Sequence, residues 1–250
     1  MTIRTAKEIT DKLLSLRDDR QRAVLMRFFK TGPGEYGEGD EFLGIKVPTT
    51  RQVVKLTDKD FPLSETELLL NSPWHEVRLC GLLILVKQYE LQSRRTEDET
   101  VKRRNDIVAF YLHHADSANN WDLVDTSAPK ILGHWLMNPT VLGDPQTILD
   151  ELAQSDSLWR RRISMVCTLT PTQHGDPSWC LRYAEMHLHD RHDLMQKAVG
   201  WMLREMGKHV SMELLRSFLH QHAQKMPRTM LRYAIEKFDE VERKRFMAPK

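Results

Sequence analysis

Residues Trp74 to Leu85 read WHEVRLCGLLIL, and this stretch decides the fold. Within it and just beyond, Leu79, Leu82, Leu83 and Val86 recur at three- and four-residue spacing, the period of a helix that buries one face. The same period runs outward in both directions, for instance through Ile9, Leu13, Leu14 and Leu16, and no clear alternating strand pattern interrupts it. Segments of similar make-up open again at Trp121 (WDLVDTSAPKIL), Trp159 (WRRRISMVCTL) and Asp193 (DLMQKAVGWML).

These openings lie roughly 34 to 47 residues apart, close to the period of about 40–47 residues of HEAT and armadillo repeats. The expected fold is therefore all-α, with HEAT-like helical repeats stacked into a curved solenoid. Its concave face would offer a long groove to a ligand rather than a closed pocket. Helices are predicted over 5–17, 19–30, 49–58, 64–71, 74–91, 98–115, 121–137, 145–154, 157–170, 177–188, 191–208, 211–224 and 227–243. Pro48, Pro73, Pro139, Pro171, Pro177 and Pro227 mark ends or starts, because proline lacks the N–H that a helix interior uses. Residues 31–44, TGPGEYGEGDEFLG, are too rich in glycine for a helix and are expected to form a loop.

The chain has 250 residues, 40% hydrophobic and 29% charged, enough to bury a substantial core, and it is expected to form one domain over 1–250. Lys plus Arg number 37 against 35 Asp plus Glu, a net charge of +2, so a basic surface must come from sorting of charges over faces. The apolar run Leu82 to Val86 falls far short of the roughly 20 residues of a membrane span, and the amphipathic N-terminus does not read as an export signal. Three widely spaced cysteines without a CxxC exclude a disulfide framework and a cysteine zinc site, and fit the reducing cytoplasm. No Walker loop, GxGxxG, HExxH or nucleophile elbow is present, so neither a cofactor nor a metal is expected. His113, His114, His187, His189 and His192 lack metal-ligand spacing on a helix and read as surface residues.

Three helices carry side chains that break the polar-out, apolar-in pattern. On the helix from Asp193, Leu194, Met195, Ala198, Val199, Met202, Leu203 and Met206 make the apolar side, while Lys197, Trp201, Arg204 and Lys208 share the opposite stripe. The cations suit phosphates and the indole a sugar or base surface; alternatively the Trp packs under a neighbouring helix with the cations at its rim. In LWRRR, Arg162 falls inside the apolar arc of Trp159, Ile163, Met165, Val166 and Leu169, and either meets an anion there or snorkels past it to a surface carboxylate. In the helix from Trp121, Val124, Ala128, Ile131, Leu132 and Trp135 continue the apolar stripe. Asp125 lies beside Trp121 at i+4, while Asp122 points elsewhere. Asp125 is either a catalytic carboxylate or an acid that answers the helix dipole behind a cap at Asn119 or Asn120.

Four segments together, LGIKVP (Leu43–Pro48), NWDLVDTSAP (Asn120–Pro129), LWRRR (Leu158–Arg162) and QKAVGWMLREMGK (Gln196–Lys208), resemble one family. They are similar to the bacterial DNA alkylation repair proteins, the HEAT-like-repeat alkylpurine DNA glycosylases, over roughly residues 5 to 238. The resemblance implies hydrolysis of the N-glycosidic bond of N3- or N7-alkylated purines in double-stranded DNA, with the damaged base left in the stack and no aromatic pocket to read it. It also implies Asp125 as the catalytic acid, Trp121 and Trp201 against the lesion's sugar, and Arg162 as the cleft arginine. Lys197, Arg204 and Lys208 would bind the DNA backbone of a monomeric enzyme. The alternatives are a non-catalytic HEAT-repeat protein that binds damaged or branched DNA, and a helical scaffold for protein partners.

Overall fold

A computed structural model describes residues 2–93, 97–139 and 142–248. All its regular elements are helical apart from two isolated backbone bridges, Ile3 to Thr57 and Glu41 to Trp74. The chain divides into two compact units, Met1–Ser127 and Ala128–Lys250.

The first unit contains α1 (Ala6–Leu14), α2 (Asp19–Phe28), α3 (Val47–Lys55), α4 (Leu63–Leu70), α5 (His75–Ser93), α6 (Asp98–His113) and α7 (Trp121–Ser127). Most side chains of α5 are buried, as its nearly unbroken apolar run demands, because α3, α4, α6 and α7 all pack around it. WHEVRLCGLLIL is thus the centre of this unit. The glycine-rich segment forms the expected loop, and the Glu41–Trp74 bridge, with His75 N donating to Glu41 O at 2.7 Å, ties its end to the start of α5.

The loop's last turn depends on one glycine. Gly44 has a φ of +87°, which side chains rarely tolerate, and a Cβ there would lie 2.1 Å from the Asp18 carbonyl oxygen. The buried Glu76 carboxylate then gathers three amides, accepting from Leu43 N at 2.8 Å, Gly44 N at 2.9 Å and Ile45 N at 3.0 Å. The motif LGIKVP therefore forms an anchored turn leading into α3.

The second unit continues with a π-helical turn (Pro129–Gly133) and α8 (His134–Met137), α9 (Pro145–Ala153), α10 (Leu158–Val166), α11 (Leu169–Gln173), α12 (Ser178–Met186), α13 (Asp193–His209), α14 (Met212–His222), α15 (Arg228–Ala234) and α16 (Glu240–Met247). Here α13 is central, with α10, α11, α12, α14 and α15 packed on it. Three predicted helices are divided. Residues 121–137 contain the π-helical turn because Pro129 has no N–H to return to Asp125; Gly133 N instead reaches back five residues to Ala128 O at 2.9 Å. Residues 157–170 break after Val166. Residues 227–243 break after Ala234, where Asp239 starts a new helix by accepting from Glu242 N.

Candidate functional site

The first unit brings Trp121 and Asp125 to one place. Asn120 is fully buried and its side-chain oxygen accepts from Trp121 N at 2.8 Å, fixing the start of α7 as the sequence suggests. Val124 is buried against the core, whereas Trp121 and Asp125 remain half-buried. Both line a pocket of about 470 Å³, with Leu25, Phe28, Phe29, Phe42 and Ile45 among its walls. The glycine-rich loop and the residue after it bring Phe42 and Ile45 to the same lining as Leu25, Phe28 and Phe29 of the α2 end and Trp121 of α7.

The walls form a connected set of rings. Phe29 stacks on Trp121 with centroids 5.3 Å apart and on Phe42 at 5.1 Å, and Phe42 stacks on His75 at 4.3 Å. His75 is buried between two carboxylates: Nδ1 lies 2.8 Å from Asp40 Oδ2 and Nε2 lies 2.9 Å from Asp122 Oδ2. Arg78 completes the group, with Nη2 on Asp40 Oδ1 at 2.5 Å and Nη1 on the carbonyls of Ser72 and Pro73. Burial opposes charge on His75, but Asp122 and Asp40 outweigh it and hold its pKa up at about 9. Burial likewise resists charge on Asp40, yet His75 and Arg78 keep its carboxyl below the usual range.

This group escapes sequence reading. Asp122 lies off the Trp121–Asp125 face, as predicted, but it is a buried anchor rather than a solvent-facing acid. Phe28 is a second omission: it ends α2, is 60% exposed, and belongs to the pocket wall. An exposed phenylalanine in a helix with arginines is a signal that sequence alone could have raised.

The second unit holds Arg162, Lys197, Trp201, Arg204 and Lys208. Arg162 is 4% exposed, inside the apolar arc as predicted, and its Nη1 donates to the Leu194 carbonyl at 2.6 Å. The neighbouring Arg161 has its Nε 2.8 Å from Asp190 Oδ2. On α13 the predicted apolar side is buried apart from half-buried Leu194, and Trp201 is half-buried. The cations do not form a stripe of unpaired charge. Lys197 Nζ lies 2.6 Å from Asp193, Arg204 pairs with Glu205 at 3.2 Å and with Glu236, and Lys208 is exposed with Glu205 at 3.9 Å. His187 also departs from expectation. It is buried at the end of α12 against Ser164 Oγ at 3.0 Å, and burial pushes its pKa down to about 4. Among the described residues no group of three or more His, Cys, Asp or Glu side chains is placed to hold a metal ion, and no helix is long and apolar enough to cross a membrane.

Fold and site together define an all-helical protein with a half-buried carboxylate, Asp125, beside aromatic walls. The family model for DNA alkylation repair enzymes matches residues 9–238, and the chain belongs to that family. A solved structure described as a predicted DNA alkylation repair enzyme from Enterococcus faecalis shares the fold. Its TM-score is 0.63 at 16% identity, over 90% of this chain and 97% of that one. A comparison with curated proteins finds no match.

Proposed function

We propose that the protein is a monofunctional DNA glycosylase, a hydrolase that removes N3- and N7-alkylated purines from duplex DNA, with both units acting as one HEAT-like-repeat domain. The observation that supports this best is a half-buried carboxylate, Asp125, lining an aromatic-walled pocket beside Trp121. Alkylation at N3 or N7 makes the purine a cation and hence a good leaving group. The bond to C1′ breaks with its electron pair going to the base, which departs neutral, and the sugar gains oxocarbenium character. A carboxylate at Asp125 stabilises that charge and accepts the proton of the water that attacks C1′. The electron-rich face of Trp121 adds to the stabilisation by packing against the sugar, and Trp201 and Arg162 are assigned to the same reaction, as sugar-packing and phosphate-holding groups. Contacts of this kind need only the backbone, so the base stays in the stack. Lys197, Arg204 and Lys208 are assigned to the DNA backbone. We place the protein as a monomer in the cytoplasm, which its three free, buried cysteines suit.

The decisive assay incubates the protein with duplex carrying 7-methylguanine and measures free base and abasic sites. Release by the wild type, with most of it lost in Asp125→Asn while duplex binding persists, is the expected result. Tight binding without any release by the wild type would instead favour a non-catalytic protein that grips damaged or branched DNA.

A further inference from the structure

We propose that His75 is a positioning residue for base release, clamping the first turn of α7 so that Trp121 and Asp125 are held in place; this rests on the glycosylase reading of Asp125. Both ring nitrogens of His75 face carboxylate oxygens, Asp40 Oδ2 at 2.8 Å and Asp122 Oδ2 at 2.9 Å. A neutral imidazole has only one N–H and would turn a lone pair toward one of these anions, so the geometry calls for the imidazolium donating from both nitrogens.

The clamp reaches two successive residues of α7. Asp122 is gripped directly, and Trp121 is held through the ring set, since Phe29 packs on His75 at 5.1 Å and on Trp121 at 5.3 Å. Asp125 lies one helical turn further on, at i+3 from Asp122 and i+4 from Trp121, so its place follows from theirs. At its other end the clamp is fixed by Asp40, which Arg78 ties to the carbonyls before α5. Anchors at the first turn of α7 act where Trp121 and Asp125 stand, ahead of the π-helical turn that follows. Two carboxylates, an imidazolium and a guanidinium also leave this buried group neutral overall. Besides these, Glu76, whose carboxylate is held by loop amides, and Lys46 and Asp125 are the charged groups lining the same pocket.

Single-turnover release of 7-methylguanine tests the clamp in three variants. His75→Gln strands the Asp122 carboxylate and should slow release at least about tenfold, while affinity for undamaged duplex changes less than about twofold. Asp122→Asn strands the imidazolium and should slow release similarly. The double variant His75→Gln/Asp122→Asn replaces the charged pair by two amides that can still hydrogen-bond, and should recover much of the lost rate. The wild-type rate should fall above about pH 9 as His75 loses its proton, and the double variant should lack that fall. ¹⁵N spectra of the wild type should show His75 protonated on both nitrogens at pH 7.5. A folded His75→Gln variant with unchanged release, a double variant no better than either single one, or a neutral His75 at pH 7.5 would each overturn the proposal. Absence of release from the wild type would sink the glycosylase reading instead, and the ¹⁵N result would still judge the clamp.

Discussion

The Phe28 ring meets the Trp121 indole edge-on, with centroids 5.9 Å apart and planes at 72°, while most of its own surface stays open to solvent. Single exposed apolar side chains are common, but this one shares a pocket wall with Trp121 and Asp125, where a substrate would meet it. Arg27 and Lys30 flank it in sequence, and Trp121 and Asp125 line the same pocket.

Phe28→Ala should therefore separate function from stability. Exposed substitutions usually shift stability by no more than about 0.5 kcal/mol, whereas loss of a ring that packs against the sugar–phosphate backbone weakens the reacting complex. The expected result is an unchanged urea midpoint with release of 7-methylguanine reduced about tenfold. If the midpoint drops and release per folded molecule does not, Phe28 belongs to the core rather than the site.

Glu76→Ala should have the opposite balance. It removes a buried acceptor for three loop amides, leaving Leu43, Gly44 and Ile45 with unsatisfied N–H groups. Such a loss costs about 3 kcal/mol or more, which a urea titration will read directly. A loss below about 1 kcal/mol would mean that the loop finds other partners.

What was legible in the sequence was local, and what was hidden was distant. Three- and four-residue spacing located the helices because each reports burial within a single element, and the Trp121–Asp125 pair was visible for the same reason. The grouping of Asp40, His75 and Asp122 was not, since 35 and 47 residues separate His75 from its partners and nothing in WHEVR distinguishes a buried ionic group from a polar surface. His187 reads as a surface residue on the same account, since its partner Ser164 is 23 residues away. The helix predicted over 121–137 runs across Pro129, and the π-helical register the chain adopts there is not announced by residue spacing.

Gly200 should tolerate no side chain. A Cβ there would stand 2.4 Å from the Met230 carbonyl oxygen and 2.5 Å from the Tyr233 Cβ, where α13 crosses α15. Gly200→Ala must push the helices apart, a strain of about 1–3 kcal/mol that outweighs the better helix propensity of alanine. Thermal unfolding should occur several degrees lower. A raised Tm would show that α13 and α15 have room to shift.

Stability should fall on both sides of neutrality, for different histidines. The folded-state pKa of His187 is depressed to about 4 by burial, so its contribution is complete above its unfolded value near 6.5 and is lost as pH falls toward 4. Between pH 6.5 and 5 that loss amounts to about 1.5 kcal/mol. His75 is raised to about 9, against burial, by Asp122 and Asp40; its contribution is complete below 6.5 and is lost as pH rises through 9. Urea midpoints at pH 5, 6.5 and 9.5 test both arms. His187→Gln should flatten only the acid arm, and an unaltered acid arm in that variant would assign it to other groups.

On the proposed assignment of the α13 cations to the DNA backbone, Lys208 and Arg204 should differ in their contributions, although their spacing makes them look alike. A lysine that neutralises one phosphate releases about one counterion, so Lys208→Ala should reduce the slope of log affinity against log salt by about one unit. Arg204 is already engaged by Glu205 and Glu236, and a phosphate must compete with both carboxylates for its guanidinium. Arg204→Ala should therefore change the slope by clearly less than one unit. Removing a competitor, as in Glu236→Gln, should tighten binding to undamaged duplex at low salt, because it frees positive charge without touching the helix. Equal slope changes for the two cations, with no gain from Glu236→Gln, would show that the ion pairs open at no cost when DNA arrives, and that the whole stripe acts as the sequence suggests.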